Sequence, residues 1–173
     1  MKHFNGQVLF LDRNDINTDE IIPAKYLTEN SKEALKPHIL EDLHLEDFDA
    51  GKNIVGKRII VTKSNFGCGS SREHAVWVFE VNDINVVIAE SFARIFRQNM
   101  FNCGMLAIQL PKDDIDTLFL LGEDTVISVD LELNKIFAEN GQGEKKEFSF
   151  ELNTFDRELV LAGGWLAYAD SKY

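Results

Sequence analysis

The sequence predicts a single α/β domain spanning residues 1–173, with a mostly parallel central sheet and a smaller antiparallel C-terminal part. Three observations predict it. Between residues 58 and 122, apolar β-branched runs alternate with runs of helical period. That is the pattern of β-α-β units, whose strands lie parallel. From residue 125 onward the texture changes to apolar–polar alternation, with Asn140-Gly141 as a hairpin turn. No repeat and no low-complexity linker divides the chain.

Each element follows from its residues. Gln7–Leu11, QVLFL, reads as the first strand. The polar, turn-rich DRNDINTDEIIP follows, and AKYLTENS at 24–31 reads as a loop. Ser31 is a candidate cap for a helix over KEALKPHILEDL, interrupted or restarted at Pro37. Residues 46–57 are acidic and glycine-containing, as a surface loop would be. RIIVTK at 58–63 is a buried strand, and REHAVWVFEVND at 72–83 has helical period. INVVIAE is a second buried strand, and SFARIFRQNMFNCG a helix that Gly104 can end. MLAIQL is a third strand, and KDDIDTLFLLG a short helix. The C-terminal DRELVLAGGWLAYAD is helical with a break at Gly163-Gly164.

Composition narrows the function. Hydrophobic residues make up 45% of the chain, enough for a core, and no apolar run is long enough for a membrane span or a secretory signal. A net charge of -11 repels phosphate backbones and anionic membrane surfaces, so neither nucleic acid nor a membrane is an expected partner. The acidic excess lies mostly in residues 29–49 and 112–158, away from the glycine-rich stretch described next. Two cysteines, Cys68 and Cys103, are too few for a disulfide framework and point to a reducing, cytoplasmic setting. They are also too few for a self-contained iron–sulfur cluster, and His3, His38, His44 and His74 show no metal-ligand spacing. No metal is expected on this chain.

Residues 65–74, NFGCGSSREH, carry the chemistry. The stretch lacks the lysine of a P-loop, the third glycine of a dinucleotide fingerprint and the GxSxG of a nucleophile elbow. Cys68 and His74 are six residues apart, about 240° around a helix, so local geometry does not pair them as a nucleophile and base. What remains is a glycine loop leaving a strand and entering a helix, where open α/β sheets place ligands. Gly67 and Gly69 permit close backbone approach. The first helical N–H groups near Ser70–Glu73 would favour an anion, and Arg72 offers a planar fork for a carboxylate. Ser70 and Ser71 add hydroxyls. This describes a site for a small carboxylic acid with a serine near the reacting carbon. In the alternative reading, Ser70 or Ser71 merely caps the helix and Arg72 faces solvent. The residues alone leave both readings open.

NFGCGSSREHA at 65–75, with VVIAESFARIF at 86–96 and NTDEIIPAKYL at 17–27, resembles the aconitase superfamily's swivelling domain. The likeness is closest to the family of stand-alone small subunits of 3-isopropylmalate dehydratase. Asn17 stands where that family usually has aspartate, and RELVLAGGW is similar to its C-terminal end. The resemblance covers nearly the whole chain and implies an aconitase-type swivelling β/α fold. It also implies a hydro-lyase that interconverts 2- and 3-isopropylmalate through 2-isopropylmaleate, in leucine biosynthesis.

On this resemblance Ser70 is the proton-abstracting base, Asp19 an active-site aspartate, and Ser71 and Arg72 hold substrate carboxylate. A [4Fe–4S] cluster is expected on a separate large subunit, with which this chain forms a heterodimer or heterotetramer. The loop Tyr26-Leu27-Thr28 is expected to contact the variable group of a small dicarboxylic acid substrate. Lacking an arginine there, it favours an alkyl group over a third carboxylate. Arg94 is expected to brace the glycine loop, His74 to make a structural hydrogen bond, and Cys68 to pack. Two alternatives stay open at this stage: the same chemistry on methyl- or dimethylmalate or homoaconitate, and a non-catalytic small-anion-binding module.

Overall fold

The structure is a computed structural model that describes residues 2–173. One seven-stranded sheet runs in the order β4-β3-β2-β1-β5-β6-β7. The strands are β1 (Gly6–Leu11), β2 (Lys57–Thr62), β3 (Val86–Ala89), β4 (Leu106–Gln109), β5 (Val126–Asp130), β6 (Lys135–Glu139) and β7 (Lys145–Ser149). The first four are parallel neighbours. β1 then pairs antiparallel with β5, and β6 and β7 extend the sheet as antiparallel hairpins. The expected parallel centre and antiparallel C-terminal part are therefore one continuous sheet, joined through β1.

Composition explains this division. β2 and β3 are buried over nearly their whole length, as strands covered on both faces must be. β6 alternates buried and exposed positions, as a half-covered antiparallel strand does, and the edge strand β7 buries only Phe148. The helices α4 (His74–Val81), α5 (Arg94–Asn102) and α6 (Lys112–Leu121) fall between or after the parallel strands. α7 (Thr154–Ala162) and α8 (Trp165–Lys172) close the chain. Asn153 caps α7 through its side chain, and Gly163 ends it at φ 91°, a left-handed value that glycine adopts freely. Gly164 continues the break expected there.

Three segments differ from the sequence reading. The helix expected over residues 32–43, interrupted or restarted at Pro37, is only α2 (Lys32–Leu35) and a 3-10 turn at Lys36–His38. Pro37 sits inside that turn, and Ile39 is already extended at φ -58°, ψ 129°, so the helical ladder stops. A one-turn helix, α3 (Ala50–Asn53), forms within the expected acidic loop because the Asp49 side chain accepts from the Gly51 N–H. Another, α1 (Thr18–Ile21), forms in the turn-rich segment after β1. Asn17 caps it, and Glu20 completes a capping box by accepting the Asn17 N–H.

Candidate active site

The loops after β1, β2 and β3 meet at the carboxyl end of the parallel strands, the ligand edge of an open α/β sheet. They are stitched together as an extension of the sheet. The Gly67 N–H donates to the Ile16 carbonyl at 2.8 Å, and the Thr18 N–H to the Cys68 carbonyl at 2.9 Å. On the other side, the Phe66 N–H donates to Ser91 at 3.1 Å and the Ala93 N–H to Phe66 at 2.9 Å. Parallel bridges at Asn17–Cys68 and Phe66–Phe92 continue the strand ladders beyond their ends. The glycine loop is thus a pinned segment with a rigid rail on each side.

A cleft of about 220 Å³ opens between these rails. Thr18, Gly67, Gly69 and Ser70–Arg72 form one wall, and Ala93–Phe96 at the start of α5 form the other. A larger hollow of about 450 Å³ lies beside β1, but Asp12, Glu46, Asp47 and Glu123 line it with only Lys57 for balance. A carboxylate would be repelled there, so the smaller cleft is the candidate site.

Within it the sequence-predicted residues take distinct places. Ser70 and Ser71 are exposed at the cleft wall. The Thr18 hydroxyl donates to the Ser70 carbonyl at 2.8 Å and fixes its backbone. Arg72 donates to Asp19 Oδ1 at 2.5 Å; the arginine side chain is 14% exposed and the aspartate 60%. A mostly buried guanidinium therefore rests against a carboxylate that solvent can reach. Tyr26, Leu27 and Thr28 lie outside the cleft lining. Tyr26 instead donates to the Glu41 carboxylate at 2.9 Å and stacks on His38, with ring centroids 3.8 Å apart. Leu27 is half-buried and Thr28 exposed.

The helix start differs from expectation. α4 begins at His74, and its N-cap Glu73 makes no side-chain cap bond, so neither serine caps it. The Arg72–Asp19 pair and the Thr18–Ser70 bond hold residues 70–72 out of the helix. The helix field falls off within its first turn, so it reaches Ser70 weakly. The N–H groups of Ser70, Ser71 and Arg72 donate to no acceptor among the described residues and are available to an anion. Bracing also differs. Arg94 makes no hydrogen bond to the glycine loop among the described residues; the bracing comes from the Phe66, Ser91 and Ala93 backbone and from the Phe96 ring against Gly67. His74 packs on Trp77 at 4.7 Å between ring centroids in place of the expected hydrogen bond. Burial, with the Asp15 carboxylate, pushes the Cys68 thiol up, which keeps it protonated and a poor nucleophile at neutral pH.

α1, which carries Asp19, rests on Glu20. Burial works to raise the Glu20 pKa, but hydrogen bonds from Arg13 and the Asn17 peptide hold it below its ordinary value of 4.5. A depressed folded pKa contributes stability above the unfolded value, lost as pH falls through the folded one. Acid unfolding of wild type should therefore include a Glu20-dependent loss beginning near 4.5 and deepening below it. Glu20→Gln should be less stable at neutral pH and show a flatter acid limb. Chemical denaturation at a series of pH values checks this, and parallel curves for the two proteins would refute it.

Comparison with known proteins places this geometry. Residues 2–113 match the aconitase C-terminal domain family. The 3-isopropylmalate dehydratase small subunit of Pseudoalteromonas translucida is 37% identical, over 93% of this chain and 84% of its own length. The protein of the same name from Aromatoleum aromaticum is 36% identical, over 93% of this chain and 83% of its own. A crystal structure of 3-isopropylmalate dehydratase from Methanocaldococcus jannaschii superposes with a TM-score of 0.77 at 30% identity, covering 97% of this chain and 93% of that one. No helix among the described residues is long and apolar enough to cross a membrane.

Proposed function

Because the chain belongs to the 3-isopropylmalate dehydratase small-subunit family, of the aconitase C-terminal domain type, we propose that its Gly67–Arg72 cleft supplies the base and carboxylate contacts of that hydro-lyase. The enzyme acts in leucine biosynthesis, and a small subunit works with a large one. The observation that carries the residue roles is the pairing, on one pinned loop, of an exposed serine with a mostly buried arginine whose partner carboxylate faces solvent.

In this reading Ser70 removes the proton from the substrate carbon next to the one that loses hydroxyl. The electron pair of that C–H bond becomes the second bond of the alkene as hydroxide departs. Re-addition of water with the opposite regiochemistry gives the isomer, and Ser70 returns its proton to carbon. A free serine is too weakly acidic for this role, so positive charge beside it matters. Arg72 supplies some, and its fork takes one substrate carboxylate, which displaces or shares Asp19. Ser71 and the free N–H groups add donors to the same carboxylate.

Hydroxide departure is left to the partner. Among the described residues no group of three or more His, Cys, Asp or Glu side chains could hold a metal ion, and Cys68 and Cys103 are free thiols. An iron–sulfur cluster does not fit these residues, and we assign it to the large subunit. Tyr26, Leu27 and Thr28 lie outside the cleft lining of this chain, and we propose that their loop contacts the substrate's alkyl group in the assembled enzyme. With no arginine in that loop, an alkylmalate is the preferred substrate class over a tricarboxylate.

The test is reconstitution. This chain alone should not hydrate 2-isopropylmaleate, and the chain mixed with a cluster-loaded large subunit should. Activity of the isolated chain, or turnover of homoaconitate but not 3-isopropylmalate by the complex, would overturn the reading.

A further inference from the structure

Among the described residues six non-glycine positions have left-handed backbone, and only two of them, Asp15 (φ 58°) and Asn65 (φ 57°), lie in the loops that build the cleft. They are bonded to each other: Asn65 Nδ2 donates to Asp15 Oδ1 at 2.9 Å. We propose that this pair is a clasp that positions Ser70 for proton abstraction. Asp15 and Asn65 act through the glycine loop and touch no substrate. This rests on Ser70's being the base.

Register carries the assignment. At the end of the regular sheet, β1 and β2 pair Leu11 with Thr62. Both chains then leave the ladder, and they bridge again at Asn17 and Cys68. Each has advanced by the same number of residues, so the offset is unchanged across the break. Loops that kinked independently would return in step only by chance. Here each makes one left-handed kink, and the two kinks hold each other. The Asp15 N–H donates to the Ser64 carbonyl at 2.9 Å, and the Asn65 amide donates back to the Asp15 side chain. Left-handed backbone is strained for a residue with a Cβ, least so for Asn and Asp, and persists where surrounding bonds over-determine it. Both side chains are exposed, so burial does not account for strained residues here, whereas the directed bond between them does.

The clasp reaches Ser70 through consecutive rungs. After Asp15–Asn65 come the Gly67 N–H on Ile16, the Thr18 N–H on Cys68, and the Thr18 hydroxyl on the Ser70 carbonyl at 2.8 Å. Arg72 on Asp19 closes the far end. A slip at the first rung is therefore passed to the backbone of the base. Asn65 also ties in the third loop, because its N–H donates to Ser91 Oγ at 2.8 Å. The loops after β1, β2 and β3 thus meet at one asparagine.

The experiment exchanges donor and acceptor in the reconstituted complex, assayed with 3-isopropylmalate. Asn65→Asp keeps the size, the left-handed preference and the backbone donor, but sets one acceptor against another. Its kcat should fall about 10–100-fold, the scale of loss that a small misplacement of a catalytic group causes. KM should change only a few-fold, because Arg72 keeps its own bond to Asp19. Asp15→Asn still offers Asn65 an acceptor and should lose only a few-fold in kcat. The double variant, Asp15→Asn with Asn65→Asp, reverses the bond and should recover most of the kcat that Asn65→Asp loses. Exchange of the substrate's carbon-bound hydrogen in deuterated water should fall and recover in the same order, and thermal unfolding gives the folded fraction of each variant. A wild-type kcat in Asn65→Asp, a loss that only follows the folded fraction, or a double variant no better than Asn65→Asp refutes the clasp while leaving the function above intact. Should Asn65→Asp fail to assemble, the double variant decides alone: turnover near wild type supports the clasp, and its loss refutes it. A wild-type complex with no activity on any alkylmalate refutes both.

Discussion

Ser70→Ala should lower kcat of the reconstituted complex by about 10²–10⁴, the range that a general base contributes. The side chain is exposed and makes no hydrogen bond among the described residues, so its removal leaves no cavity and orphans no partner. The Ser70 carbonyl, which Thr18 holds at 2.8 Å, is untouched by the change. Thermal unfolding and assembly with the large subunit should match wild type. KM should change little, because Arg72 and the free N–H groups still hold the carboxylate. A second readout isolates the proton step: wild type in deuterated water should exchange the substrate's carbon-bound hydrogen, and Ser70→Ala should not. Retention of near wild-type kcat, or of exchange, would remove Ser70 from the role of base.

Much of this site was legible in the sequence because its signals are local. Glycines, adjacent serines and an arginine between a β-branched run and a helical run mark a candidate ligand turn at a strand's carboxyl end. The capping box around α1 is equally local, with Asn17 and Glu20 three apart, but the turn-rich composition around it masks the one-turn helix. The readings that changed depend on partners distant in sequence. The helix over α4 starts at His74 because Thr18 and Asp19, more than fifty residues away, hold Ser70 and Arg72 in another conformation. Arg94, expected to brace the glycine loop, makes no hydrogen bond to it among the described residues; parallel pairing of the β2 and β3 extensions brings it to the opposite wall of the cleft instead. The break at Ile39 was half legible: Pro37 announced an interruption, but not that the chain would leave helical geometry two residues later.

Gly67→Ala should show what pins the two walls. Gly67 has φ 82°, a left-handed value costing an alanine about 1–2 kcal/mol. Its added Cβ would also lie 2.6 Å from Phe96 Cβ and closer still to the ring. Phe96 cannot easily retreat. It is 3% exposed and packs edge-on against Phe66 at 5.4 Å between ring centroids. Overpacking of this kind costs roughly 1–3 kcal/mol, so urea unfolding should report a total loss of about 2–5 kcal/mol. Gly69 supplies the control. It too is left-handed, at φ 92°, but a Cβ there would meet Asn17 Cβ at 3.4 Å, an ordinary contact. Gly69→Ala should therefore lose only the dihedral part, about 1–2 kcal/mol. The difference between the two variants measures the Phe96 contact, and a cycle with Phe96→Leu should return part of it. Folded Gly67→Ala should also turn over more slowly than its stability loss explains, because relieving the clash moves the glycine loop that carries Ser70 and Arg72. Equal destabilisation by the two alanines would mean that Phe96 does not clamp the glycine loop, and that the spacing of the cleft is set elsewhere.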